Sequence, residues 1–233
     1  MIEKNRQIVV FGNFECITFE NISRISNLKD KYSLVLVANE DFQPPLINPN
    51  QQFVISTNPP LLRPAFISND RNFTVFFGAK RIHIEEKDAD TKSYESFFEK
   101  AKEFIFEIIK SYSVSATRAA VNGTIFETNQ SFVKSTYARF FKENKLISSD
   151  MDDWGFRINS KSMTQNGKSI NRIISAQLRT EIIDSMPKNA LYLSYDYNTV
   201  PNQTFENEDE LFSFFNDGKA FRSVVINNGY NIN

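Results

Sequence analysis

The 233 residues carry 27 basic and 28 acidic side chains, a net charge of −1, with 41% apolar and 24% charged residues. This balance suits one large domain or two small ones, and it excludes a global field that would steer the chain to nucleic acid or anionic lipid. One histidine, one cysteine and one tryptophan stand against 23 phenylalanines, so the usual pools of general bases and nucleophiles are nearly empty while core material is abundant.

A single cysteine excludes an intramolecular disulfide framework and any cysteine-based zinc site. The opening Met1 to Arg6 is charged, and no run reaches the roughly 18–20 apolar residues of a membrane span. A cytoplasmic protein that does not enter the membrane is expected. Asn-x-Ser/Thr triplets at Asn21, Asn72, Asn122, Asn129 and Asn202 are then chance matches in an Asn-rich chain.

In chain order, Gln7–Thr18 predicts a strand, Glu20–Lys31 a helix with Ile22, Ile25 and Leu28 at helical spacing, and Tyr32–Ala38 a second strand. Residues 41–64 hold six of the eight prolines and predict a partly extended connection with one short strand at Gln52–Ser56. Ala65–Ser68, Phe73–Gly78 and Arg81–Glu86 predict a meander. An acidic segment, Glu85–Asp90, leads into the best-patterned helix, Ser93–Tyr112, whose apolar residues fall within an arc of about 140°. The exception is Phe106, which projects on the charged side.

Val114–Glu127 predicts a long strand with Gly123 as a bulge or close approach. Helix Ser131–Glu143 follows, then a loop with Asp150, Asp152 and Asp153, then a hairpin centred on Asn166-Gly167. Ala190–Asn198 alternates, with Leu191, Leu193, Tyr195 and Tyr197 on one face. Asn207 and Glu210 resemble a capping box for a short helix Glu208–Asp217 that Gly218 ends, and Phe221–Ile226 reads as a last strand.

A pattern of long strand, helix, strands and Phe-rich helix occurs twice, offset by roughly 106–110 residues. It predicts an α+β protein of two similar halves, residues 1–112 and 113–233, each a mostly antiparallel sheet with helices on one face. The halves are expected to be closely packed.

Three stretches carry a family resemblance. Asn72–Lys80 leading to Tyr94-Glu-Ser-Phe97, the strand Arg118–Ile125, and Leu191–Tyr197 followed by Leu211–Val225 are similar to a sporadically distributed, functionally uncharacterised bacterial family of roughly 250-residue proteins. Two departures stand out: Val121 replaces the family's usual tyrosine, and the closing helix lacks its histidine. The resemblance implies a bacterial cytoplasmic protein from a mobile or defence-related gene cluster. It brings no catalytic residue.

Candidate chemistry is sparse. Strand alternation sets His83 beside Arg81 and Glu85, a solvated or structural position, and Cys16 is expected as a buried, inert thiol. Asp150, Asp152, Asp153, Asp184 and Asp196 could supply oxygen ligands for a two-metal nuclease, and Glu143-Asn-Lys145 matches half of a nuclease motif, at a helix end where that chemistry wants a strand. No Gly-rich phosphate loop and no nucleophile elbow is present.

A two-residue turn at Asn166-Gly167 would place Arg157, Lys161, Lys168 and Arg172 on one face of a ribbon, fit for phosphate contact or for guarding an edge. Phe106 is either a lone exposed ring, a ring covered by residues 41–64, or an anchor for a protein partner. The expectation is a non-enzymatic interaction or assembly subunit without catalytic, cofactor or metal residues. The alternative is a nucleic-acid-binding or metal-dependent nuclease component.

Overall fold

Period-two alternation along nine strands builds one antiparallel sheet in the computed structural model, which describes residues 2–41, 61–140, 154–164, 166–201 and 203–227. The elements run β1 (Ile2–Gly12), a 3-10 turn (Ile22–Ile25) into α1 (Ser26–Lys31), β2 (Leu34–Asp41), β3 (Leu61–Ser68), β4 (Phe73–Phe77), β5 (Arg81–Asp90) and α2 (Tyr94–Tyr112). The second run is β6 (Ala116–Glu127), α3 (Gln130–Phe140), β7 (Trp154–Met163), β8 (Ser169–Ile183), β9 (Met186–Thr199) and α4 (Glu208–Asn227). The expected strand at Gln52–Ser56, the loop with Asp150, Asp152 and Asp153, and Glu143-Asn-Lys145 lie outside the described residues.

Strand order is β2-β3-β4-β5-β1-β6-β9-β8-β7. Both runs follow the same path: a central strand, a helix, an outermost strand, a meander back, and a long closing helix. The architecture is therefore α+β with two similar halves, and the sheet passes unbroken between them through the antiparallel β1–β6 pair.

The four helices among the described residues lie over one face of the sheet. That face supplies Ile8, Val10, Phe66, Val75, Ile84, Val121, Ile174, Leu193 and Tyr197, which join Phe97, Phe98, Phe104, Tyr137 and Phe214 from the helices in one apolar core. Burying each large side chain contributes roughly 1.5–3 kcal/mol before entropy. The phenylalanine excess is thus core filling, as edge-on pairs such as Phe66–Phe77 and Phe73–Phe97 show.

Several sequence expectations are corrected. The first strand starts at Ile2 and stops at Gly12, and Phe14 and Ile17 reach the core from the turn beyond it. β5 continues through the acidic segment to Asp90. Gly218 does not end a helix: α4 runs through it to Asn227, so Phe221–Ile226 is helical rather than a strand. A Cβ at Gly218 would stand 2.7 Å from Val121 Cγ2, so the residue is there to let helix and sheet approach. The capping expectation holds, with Asn207 Oδ1 accepting from Glu210 N at 2.9 Å.

One buried ionic cluster ties the halves together. Lys4 is an extra residue in β1 relative to β6, which brings Glu3 and Arg6 to the helix-covered face together despite their odd spacing. Glu3, fully buried, accepts from Arg222 Nε at 2.9 Å, Arg222 Nη2 at 2.7 Å and Tyr195 Oη at 2.7 Å. Arg6 donates to Glu86 and to Ser93 Oγ at 2.8 Å, and the Arg222 guanidinium stacks 3.7 Å from the Tyr94 ring centroid. Burial opposes the Arg222 charge, yet the bonds it donates to Glu3 and the attraction of that carboxylate more than restore it and its pKa is raised. Burial pushes the Tyr195 hydroxyl far above its ordinary value. Gly123 makes room for that hydroxyl, since a Cβ there would lie 2.6 Å from Tyr195 Oη.

Candidate interaction surface

The opposite face of the sheet carries no helix among the described residues. Alternation delivers to it Gln7, His83, Asn122, Thr124, Ser194, Asp196, Asn198 and Asn171, a polar strip across the two central strands and into the second half. Hydrogen bonds knit part of it: Asn198 Oδ1 accepts from Asn171 Nδ2 at 3.1 Å and Arg118 Nη2 at 3.3 Å, and Thr124 and Ser194 hydroxyls meet at 2.9 Å. Arg118 also donates to Thr199 O and lies over the Phe11 ring.

Other polar atoms on this face are less well served. Asn5 Oδ1, His83 Nε2 and Asp196 Oδ1 are buried without a hydrogen-bond partner among the described residues. Burial pushes the Asp196 carboxyl above its ordinary value, against the pull of Asn198, Arg118 and Arg157. Beside the strip, Thr124, Gln177, Arg179, Tyr192 and Ser194 border an open depression of about 570 Å³.

The sequence candidates are dispersed. His83 sits on this face of β5, paired in register with Phe76 and Val9. Burial holds its imidazole below the ordinary value, with Glu85 opposing and Arg81 and Lys87 reinforcing. Cys16 corrects the expectation of a buried thiol: it is exposed, in the turn after β1. Asp184, exposed at the β8–β9 turn, pairs with Lys188, and ten strand residues, about 33 Å, separate that turn's Met186 from Asp196. Among the described residues no three His, Cys, Asp or Glu side chains are grouped so that they could hold a metal ion.

The basic ribbon is split. The hairpin closes with Thr164 facing Lys168, Gly167 at φ 75°, and Met163 paired with Ser169. This is one residue out of the register that a two-residue turn gives, and one residue exchanges the faces of a strand. Arg157 and Lys161 therefore lie on the uncovered face. Lys168 and Arg172 lie on the helix side, where Lys168 bridges Glu210 at 2.9 Å and Arg172 stands 6.0 Å from the Tyr197 ring centroid.

Of the residues 41–64 that could cover Phe106, 42–60 lie outside the described residues. Phe106 is 37% exposed, and its ring lies 6.4 Å from Phe212 on α4. The helix Glu208–Asp217 predicted from sequence already holds Phe212, but it stops before Gly218 where α4 continues to Asn227. The signal was present: Leu211, Phe214, Phe215, Arg222 and Val225 continue one helical stripe past Gly218.

No protein-family model matches the chain, and no curated protein matches it. Among solved structures, it is similar to the substrate-free duplicated taurocyamine kinase from Schistosoma mansoni, at 13% identity and a TM-score of 0.30. The match covers 99% of this chain and 34% of that one, so the chain spans about a third of that protein's length. No helix among the described residues is long and apolar enough to cross a membrane.

Proposed function

We propose that this protein is a non-enzymatic interaction or assembly subunit of a bacterial multi-component system, defence-related and cytoplasmic as the family resemblance implies. Its uncovered sheet face receives a protein partner. The observation that carries this reading is the strip around Asp196: a desolvated carboxylate oxygen and two further buried polar atoms lacking partners, on a face that no helix among the described residues overlies. Unpaired polar groups cost stability, and they are retained where a partner's donors complete them. Asn122, next to Asp196 in register, marks the middle of that strip. A partner captured from the native host by the wild-type chain should be lost by Asn122→Arg, while partner retention unchanged in that variant sinks the reading.

A specific observation favours a second reading. Arg118, Arg157, Lys161 and Arg179 all belong to the uncovered face in the second half. They could track a phosphate backbone, although Arg118 is held by Thr199 and Asn198 and Arg179 by Gln177. Salt-sensitive binding of single-stranded RNA or DNA, abolished by Arg157→Glu with Lys161→Glu, would establish this alternative.

A further inference from the structure

The two outer strands of the sheet are finished differently. β7 exposes Arg157 and Lys161, and self-pairing of β7 about Asn159 would set those cations against each other. β2 exposes Val35 at 48% and Leu36 at 38%, and among the described residues it pairs with β3 alone. Its charges lie at the ends: Lys29 and Lys31 precede the strand, with Asp30 already paired to Lys29, and Glu40 and Asp41 close it.

We propose that β2 pairs antiparallel with β2 of a second copy of this chain, with Leu36 on the two-fold axis. In that register Val35 faces the partner's Val37 and Leu34 faces the partner's Ala38. Both pairs are apolar. Parallel pairing would instead stack Glu40 and Asp41 on their own copies, a like-charge arrangement that is destabilising. Opposed residues then have even sums, so helix-side residues meet helix-side residues and both helical layers stay on one side of a continuous sheet. Leu36, opposite Phe66 on β3, is such a helix-side position.

The chain already joins its halves in this way, through antiparallel β1 and β6 at its centre. An isologous β2 contact consumes the apolar edge of each copy and leaves only the guarded β7 edges outside, so assembly stops at two chains. This inference stands apart from the hetero-partner reading above, because it uses an edge rather than the polar face.

Sedimentation velocity on the full-length protein tests it. Wild type should sediment as two chains at concentrations up to about 100 µM. Leu36→Lys and Leu36→Glu, each at an edge position already exposed, should weaken that dimer at least about tenfold with unchanged circular dichroism. An equimolar mixture of the two variants should restore the two-chain species, because unlike charges then meet on the axis. A monomeric wild type, variants that remain dimeric, or a mixture that stays monomeric would each overturn the proposal.

Discussion

The two faces of this sheet use the same alternation for opposite ends. On the helix-covered face, Glu3 with Arg6 and Arg222 forms a buried ionic cluster within a largely apolar surface, and all three charges are met by ion pairs and hydrogen bonds. On the uncovered face, polar residues are the rule, and Asp196, His83 and Asn5 each hold a buried atom that no described group completes. Burial alone therefore does not distinguish structure from function here. Nor does the lack of a partner alone, since Tyr94 Oη in the helix-covered core is also buried with no hydrogen-bond partner among the described residues; what sets the uncovered face apart is that three such atoms lie in one polar strip.

The contrast is broken most directly at the ionic cluster. Arg222→Met leaves Glu3 buried with only Tyr195 Oη and the distant Arg6 Nη1 at 3.5 Å, and should cost about 3–5 kcal/mol in urea unfolding. Adding Glu3→Leu should recover part of that loss, because an apolar pair avoids the uncompensated charge. Next in size is Gly218→Ala. The new methyl would stand 2.7 Å from Val121, so helix α4 must lift from the sheet, at about 1–3 kcal/mol. Phe106→Ala should cost about 1 kcal/mol through the lost Phe212 contact. A melting temperature unmoved by that last change would show that α2 and α4 do not share this ring.

Much of the fold was legible because the helix face and strand alternation are written in apolar residues. Helix α2, strands β4, β6 and β9, the second half of β3, the first part of β5, and the two-half plan follow from that pattern alone. Leu61–Pro64 reads as connection because of its proline, yet it belongs to β3. The start of β1 was hidden because Glu3-Lys4-Asn5-Arg6 looks like solvated surface, whereas two of its charges turn inward across a bulge. Gly218 misled because a glycine after an amphipathic stretch reads as a stop, and only the sheet packed against it explains a glycine inside a helix. The basic ribbon was misplaced because turn length fixes register, and one residue moved Lys168 and Arg172 to the other face. The polar strip was invisible in sequence. Its members come from β1, β5, β6, β8 and β9, and only pairing brings them together.

A smaller, pH-dependent effect sharpens the comparison. Burial lowers the folded-state pKa of His83 below its ordinary 6.5, so the unfolded chain takes up the proton first as pH falls. That contribution to stability is full above about pH 6.5 and is lost progressively below it. The difference in urea midpoint between about pH 7.5 and about pH 5.5 should therefore be smaller in His83→Gln than in wild type. An equal difference in both proteins would mean that the imidazole is not desolvated on this face.

In the proposed reading, one face holds the fold and the other receives the partner. This reading is tested most directly by measuring Tm and partner affinity together on Asn122→Arg, with Phe106→Ala as the helix-side control. The account predicts that Asn122→Arg lowers affinity at least about tenfold with stability within about 0.5 kcal/mol of wild type, while Phe106→Ala lowers Tm and leaves affinity unchanged. Partner affinity unchanged by Asn122→Arg, or lost equally in Phe106→Ala, would contradict it.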